Sequence, residues 1–394
     1  METANQRAVK VDRADGWYRV MLLIVASLAF GSLAQADDNL GLRRGGDPHQ
    51  VSISGLSSGG AMALQYAVAH SSSIIGVGSV AGPAWGCAEG DLGHAMQVCL
   101  KGQGTPQAKT DLARQLAAAG KIDSLPGNIT SALKQSFVFQ SREDEIVNPR
   151  SGQADVDFLT ALTGVAPKLD EGHAADGSER AGHGIMSPDG TDSCSGTGKT
   201  FIRRCGLEDN AAEVLSTIYG GGVSDFSKRK VTSDSDVWEF DQQPFIDSVT
   251  NQGTPVAADY VSSGPLQSAE RQNFDLAATG YIYVPTAVCG KGNPPCRVHV
   301  ALHGCAQNPK LFAQKSGYNN WAEHYRAIIV YPAIKARQPW WWDYFFGAEP
   351  NPLGCWDWWG YLDPGTGGDR YLTKDAPQIK VIERMIAELT KPLP

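Results

Sequence analysis

Short apolar runs recur along this chain at intervals that suit strands of a sheet buried on both faces. Residues 74–82 form one, bounded by glycine, and residues 136–140 another, ending in the acidic turn Ser141-Arg142-Glu143-Asp144. The last third repeats the pattern at 280–284, 297–302 and 327–331. Stretches with helical character lie between and after them, at 60–68, 110–119, 210–218, 321–325 and 376–389. Strands alternating with helices predict an α/β fold with a mostly parallel central sheet flanked by helices. Residues 168–198 read as loop-rich, and Gly220-Gly221-Gly222 opens a polar insert to about residue 273 that reads as a solvated loop. No internal repeat or low-complexity linker divides the chain, so one domain over 37–394 is expected, with no separate substrate-binding domain.

The strand-like residues 49–54 feed Gly55-Leu56-Ser57-Ser58-Gly59 and then the helix-like 60–68. A serine on a tight strand-to-helix turn exposes its Oγ, and flanking glycines avoid collision with neighbouring backbone. Ser57 is the candidate nucleophile. A serine hydroxyl needs a histidine to take its proton, and that histidine needs a carboxylate to fix its tautomer. Asp144 follows a buried strand downstream of Ser57, where a hydrolase places its acid, with Glu143 and Glu145 as rivals. His183, between Gly182 and Gly184, completes the order Ser, Asp, His, while His173 reads as a decoy. The oxyanion needs two backbone N–H donors, one from the residue after the nucleophile and one from the loop after a neighbouring strand. Ser58 supplies the first. The strand 298–302 runs into His303-Gly304-Cys305-Ala306, which nominates the Cys305 N–H as the second and gives His303 a turn-shaping role. That loop lies far downstream of Ser57 instead of upstream, an anomaly of order.

Composition narrows the partners. With 394 residues, 42% hydrophobic and 19% charged, the chain can bury a large core. A net charge of -8 argues against nucleic acid and against an anionic membrane surface. The apolar run 20–30 is too short to span a bilayer, follows Arg19 and leads to Ala34-Gln35-Ala36, so residues 1–36 read as a secretory signal peptide. Eight cysteines without a Cys-x-x-Cys pair then read as disulfides. Spacing pairs Cys87 with Cys99, Cys194 with Cys205 and Cys289 with Cys296, leaving Cys305 with Cys355. No metal or organic cofactor is implied.

These motifs together resemble the circularly permuted catalytic type of the secreted poly(3-hydroxybutyrate) depolymerases. The resemblance covers most of the mature chain. It rests on residues 55–62, on Asp144-Glu145-Ile146-Val147-Asn148-Pro149, on His183 ahead of the Cys194 to Cys205 loop and Ile218-Tyr219-Gly220, and on Gly280-Tyr281-Ile282-Tyr283-Val284-Pro285. His303-Gly304-Cys305-Ala306-Gln307 and residues 351–360 are its most specific parts. It implies an α/β-hydrolase fold whose chain is cut between the helix 376–389 and the strand into Ser57, bringing the mature termini close in space. It also implies a serine esterase, secreted or periplasmic and expected to be a monomer, that acts on polyester polymer or hydroxyalkanoate oligomer through an acyl-enzyme on Ser57. Tryptophans concentrate in Trp340-Trp341-Trp342 and Trp356-Asp357-Trp358-Trp359, where the alternatives are rim packing and an apolar polyester cleft; the resemblance points to Trp356 as substrate-binding. The rival functions are an esterase for feruloyl, acetyl or synthetic polyester substrates and a polymer-binding protein without chemistry.

Overall fold

The computed structural model describes residues 42–393 except 104–105, 126–132, 173–179, 197, 222–224, 251–272, 339–349 and 364–367. The signal segment 1–36, His173 and Trp340-Trp341-Trp342 therefore lie outside the described residues.

The first strand of the chain, β1 (Gly46–Leu56), sits at the centre of the main sheet, and its last six residues are buried. Beside it on one side run β2 (Gly76–Val80), β3 (Ser136–Phe139) and β4 (Lys168–Asp170), all parallel. On its other side lies β10 (Cys296–Leu302), also parallel, followed by β11 (Ala327–Tyr331), β9 (Thr279–Tyr283) and β8 (Trp238–Asp241). Both pairings of β9 are antiparallel, so the described eight-stranded sheet is mostly parallel. Its order, β4-β3-β2-β1-β10-β11-β9-β8, places the early strands in one half and the late strands in the other. In an α/β-hydrolase the strand carrying the oxyanion loop precedes the elbow strand. Here β10 follows β1 by some 240 residues of chain yet pairs with it in register, Gly55 opposite Leu302. The fold is an α/β-hydrolase in permuted order, and the anomaly of sequence disappears in space.

Among the described residues the longer α-helices are α1 (Ser58–Ala69), α2 (Pro106–Ala118), α3 (Arg150–Thr163), α4 (Asn210–Tyr219), α5 (Gln243–Thr250), α6 (Pro309–Lys315), α7 (Tyr318–Tyr325) and α8 (Pro377–Leu389). Side chains alternate across a strand, so Ser52 and Ser54 of β1 face one way, toward Tyr219 of α4 and Tyr318 of α7. His299 of β10 bonds both serines, at 2.7 and 2.8 Å, and burial holds its ring neutral by lowering its pKa to about 3. The amphipathic α8 buries Ile379, Val381, Ile382, Met385 and Leu389. It also returns the chain to its beginning: the Gly45 N–H donates to the Lys391 carbonyl at 3.0 Å, and Arg44 pairs with Glu388 at 2.7 Å.

Two readings of the sequence need correction, and a third element was not foreseen. The polar insert 220–273 is not simply a loop, because it contributes the edge strand β8 and the helix α5, which packs on α8. Phe240 is the one residue of β8 that is buried, and a half-solvated edge strand looks polar. Second, the loop-rich 168–198 contains β4 together with β5 (Ile185–Met186) and β6 (Asp192–Ser193), which flank β7 (Ile202–Arg204) in a small second sheet. Third, α3 carries no strong apolar stripe and was not anticipated, although its end at Gly164, with φ of 72°, is a glycine stop.

Candidate active site

Ser57 occupies the turn between β1 and α1 with φ of 55° and ψ of −120°, a conformation that costs a non-glycine residue strain. Its N–H is tied to the Val80 carbonyl at 2.8 Å. The glycines on either side are steric necessities. A Cβ on Gly55 would lie 2.3 Å from the Gly59 carbonyl, and one on Gly59 would lie 2.5 Å from the Leu302 and His303 carbonyl oxygens. The elbow can form because α1 begins against the end of β10.

Asp144 lies in the turn after β3, its side chain fully buried, whereas Glu143 and Glu145 are exposed and Glu143 pairs with Arg180. Its Oδ1 accepts the Ile146 and Val147 N–H groups at 2.9 and 2.8 Å, and its Oδ2 accepts from Gln140 Nε2 at 2.9 Å. Gln140 stands beside Gly152 of α3, where a Cβ would fall 2.4 Å from that of Gln140, so the unanticipated helix braces the acid. His183 Nδ1 lies 2.8 Å from Asp144 Oδ2. That contact leaves Nε2 as the nitrogen free to exchange a proton.

The second sheet exists around His183. Arg203 of β7, wholly buried, donates from Nε to the His183 carbonyl at 2.8 Å and from Nη1 to the Ser193 carbonyl at 3.2 Å. Burial lowers the pKa of Arg203, opposed by Glu145, Asp192 and Asp144. The Phe201 ring meets the His183 ring edge-on at 5.7 Å. The Cys194 carbonyl accepts the Gly182 N–H at 3.0 Å, and Cys194 is linked to Cys205. The other disulfides join Cys87 to Cys99, Cys289 to Cys296 and Cys305 to Cys355, leaving no free cysteine among the described residues.

At the end of β10 the loop 303–307 is held at several points. His303 Nε2 accepts the Ile334 N–H at 3.0 Å, which places the ring proton on Nδ1, directed at the Gly304 carbonyl 2.8 Å away. In a planar trans peptide the carbonyl and the next N–H point in opposite directions, so anchoring the Gly304 oxygen fixes the direction of the Cys305 N–H. Burial lowers the His303 pKa to about 4, so the ring stays neutral at ordinary pH. Among the described residues neither the Ser58 nor the Cys305 N–H is paired with an acceptor.

Ser57, Ser58, His183, Gly304 and Cys305 line one cavity of about 400 Å³. Its walls are apolar: Leu92, Met96 and Leu100 on one side, Ile146 and Val147 beside the acid, and Leu353, Trp358 and Trp359 on another. Met96, Ile146 and Leu353 are among the few large hydrophobic side chains left exposed. Trp356 is not among the lining residues, which corrects its expected role as a substrate contact. It is 0% exposed, and its indole N–H donates to the His303 carbonyl at 3.0 Å. Phe201, Arg203 and the 92–100 wall were missed in the sequence, and Gln307 stood in its motif without an assigned role. The wall had a signal, Leu92, Met96 and Leu100 at i, i+4 and i+8, on a helical turn that widens into the π-helix Ala95–Cys99. Among the described residues no helix is long and apolar enough to cross a membrane.

The chain matches no family model. It is 29% identical over 347 residues to a poly(3-hydroxybutyrate) depolymerase of Delftia acidovorans, covering 86% of this chain and 59% of that protein. It is 28% identical over 347 residues to a polyhydroxybutyrate depolymerase of Talaromyces funiculosus, covering 82% and 85%. The chain thus spans less than two thirds of the length of the Delftia relative. Among solved structures, a PHB depolymerase with a serine-to-alanine substitution, complexed with R3HB trimer, superposes with a TM-score of 0.68 at 24% identity, covering 90% of this chain and 99% of that one. The PHB depolymerase from Penicillium funiculosum gives 0.66 at 26% identity, with the same coverage. In sequence and in fold, the chain is similar to poly(3-hydroxybutyrate) depolymerases, and its fold is an α/β-hydrolase in permuted order.

Proposed function

We propose that this chain is a serine esterase that hydrolyses the ester bonds of poly(3-hydroxybutyrate) or its oligomers. The observation that carries the proposal is the single cavity in which Ser57, His183 and the Ser58 and Cys305 amides meet apolar walls able to hold an aliphatic polyester. Ser57 Oγ attacks the ester carbonyl as His183 Nε2 takes its proton. Asp144 holds the imidazole in register and stabilises its charged form. The Ser58 and Cys305 N–H groups receive the oxyanion. The imidazolium then protonates the leaving alcohol, and water, activated by the same histidine, releases the acid from Ser57.

The relatives named as depolymerases, and the R3HB trimer bound to one of the similar structures, support this choice of substrate. Four disulfides support an oxidising compartment, and we read the protein as exported, with residues 1–36 as its signal and 37–394 as one catalytic domain working as a monomer. The test is clearing of a suspension of amorphous poly(3-hydroxybutyrate), set beside hydrolysis of p-nitrophenyl butyrate, a feruloyl ester and an acetyl ester. The expected result is clearing that Ser57→Ala abolishes. Hydrolysis confined to the feruloyl or acetyl ester, or clearing that survives Ser57→Ala, would overturn the proposal.

A further inference from the structure

Gln307 lines the cavity but makes no bond to Ser57, His183 or Asp144 among the described residues. Its two amide atoms reach in different directions. Oε1 accepts the Gly304 N–H at 2.6 Å, and Nε2 donates to the Thr200 carbonyl at 2.7 Å. A backbone N–H on one side and a backbone carbonyl on the other leave the amide one satisfied orientation.

Each end of this bridge touches a part of the site that must be held still. Gly304 precedes the Cys305 N–H and is packed against the elbow, where a Cβ on it would lie 3.2 Å from Ser57 Cβ. Thr200 precedes Phe201, whose ring packs on His183 and whose carbonyl accepts the Ile185 N–H at 2.9 Å. Phe201 has φ of 55°, so this segment holds its shape through its contacts rather than by backbone preference. Thr200 and Gln307 are 107 residues apart, on the early and late halves of the permuted chain.

We propose that Gln307 is a positioning residue that fixes the oxyanion donor on Cys305 and the His183 ring relative to each other. The proposal rests on the esterase reading above. A misplacement of about 1 Å can cost on the order of 100-fold in rate, so losing the bridge should lower kcat and leave KM little changed.

The experiment measures kcat and KM on p-nitrophenyl butyrate against pH for the wild type, Gln307→Leu and Gln307→Glu, with thermal melting as the control for folding. Gln307→Leu removes both bonds and should lower kcat by about tenfold or more. An ionised Gln307→Glu can accept from Gly304 but repels the Thr200 carbonyl, and on protonation it can again do both. Its activity relative to wild type should therefore rise as pH falls, a signature that loss of packing would not give and that survives if Gln307→Leu fails to fold. Wild-type kcat in a folded Gln307→Leu, a change in KM alone, or a pH-independent ratio for Gln307→Glu would overturn the proposal. A wild-type protein inactive on every ester would instead overturn the esterase reading beneath it.

Discussion

The indole N–H of Trp356 donates to the carbonyl oxygen of His303 at 3.0 Å, from a side chain with no exposure to the cavity. Trp356 therefore braces the 303–307 loop and does not line the cavity. Trp356→Ala should cost about 3–5 kcal/mol of stability by opening a cavity and should depress hydrolysis of polymer and of p-nitrophenyl butyrate alike. The exposed rim should behave differently. Replacing both Leu353 and Met96 by Ser should slow polymer clearing while leaving the small ester within about twofold, since these side chains line the mouth and bond to no catalytic group. Kinetics on the two substrates, with melting curves, check both outcomes.

Arg203 holds the His183 loop by its carbonyl, and the guanidinium fork reaches Ser193 as well. Lysine keeps the charge but not the fork. Arg203→Lys should lower kcat by about tenfold through a loosened histidine. Arg203→Met should also destabilise the fold, because each lost charge-assisted bond is worth about 1.5–3 kcal/mol. Steady-state kinetics and urea unfolding of the two variants separate the effects.

Asp155 of α3 is buried, accepts the Trp85 N–H at 3.0 Å, and has its pKa raised to about 8 chiefly by desolvation, with the bonds from Trp85 and Ser79 opposing. A carboxyl with a folded pKa above its unfolded value contributes stability below the unfolded pKa, about 4, and loses it as pH rises through the folded one. The wild type should therefore lose stability between pH 4 and about 8 at this site. Asp155→Asn keeps an acceptor for Trp85 and cannot ionise. Its melting temperature should exceed wild type at pH 8, with the gap closing toward pH 4. Paired thermal melts across that range decide it.

The Cys305–Cys355 disulfide joins the oxyanion loop to the segment that carries Trp356, across a sequence separation of 50. By loop entropy a closure of this length is worth about 4 kcal/mol. Replacing both cysteines by alanine should lower the melting temperature and also reduce kcat at temperatures where the protein remains folded, because the Cys305 N–H loses an anchor. Activity that tracks the folded fraction alone would limit the disulfide to a stabilising role.

Much of this site was legible because its chemistry is local. Gly55 and Gly59 announce the elbow by what they must avoid, and Asp144 stands where a buried strand ends. Trp356, Trp358 and Trp359 show where legibility stopped. On one irregular loop Trp358 and Trp359 line the cavity while Trp356 does not, and no periodicity in sequence says which of them reach it. The helix α3 and the strand β8 were hidden for a related reason: α3 buries Asp155, Ser151 and Gly152 among its apolar residues, and β8 buries little but Phe240. Gln307 was visible within its motif, but its partner Thr200 is 107 residues away.

The pairing of Gly45 with Lys391 bears on how the molecule could be attached to a support. Both lie beside the start of β1, whereas Ser57 follows its far end, and 11 residues of strand separate the two levels by roughly 30 Å. A tether grafted after α8 would therefore grip the molecule at the opposite end of the sheet from the cavity. Enzyme immobilised that way would present its mouth outward, toward a suspended particle.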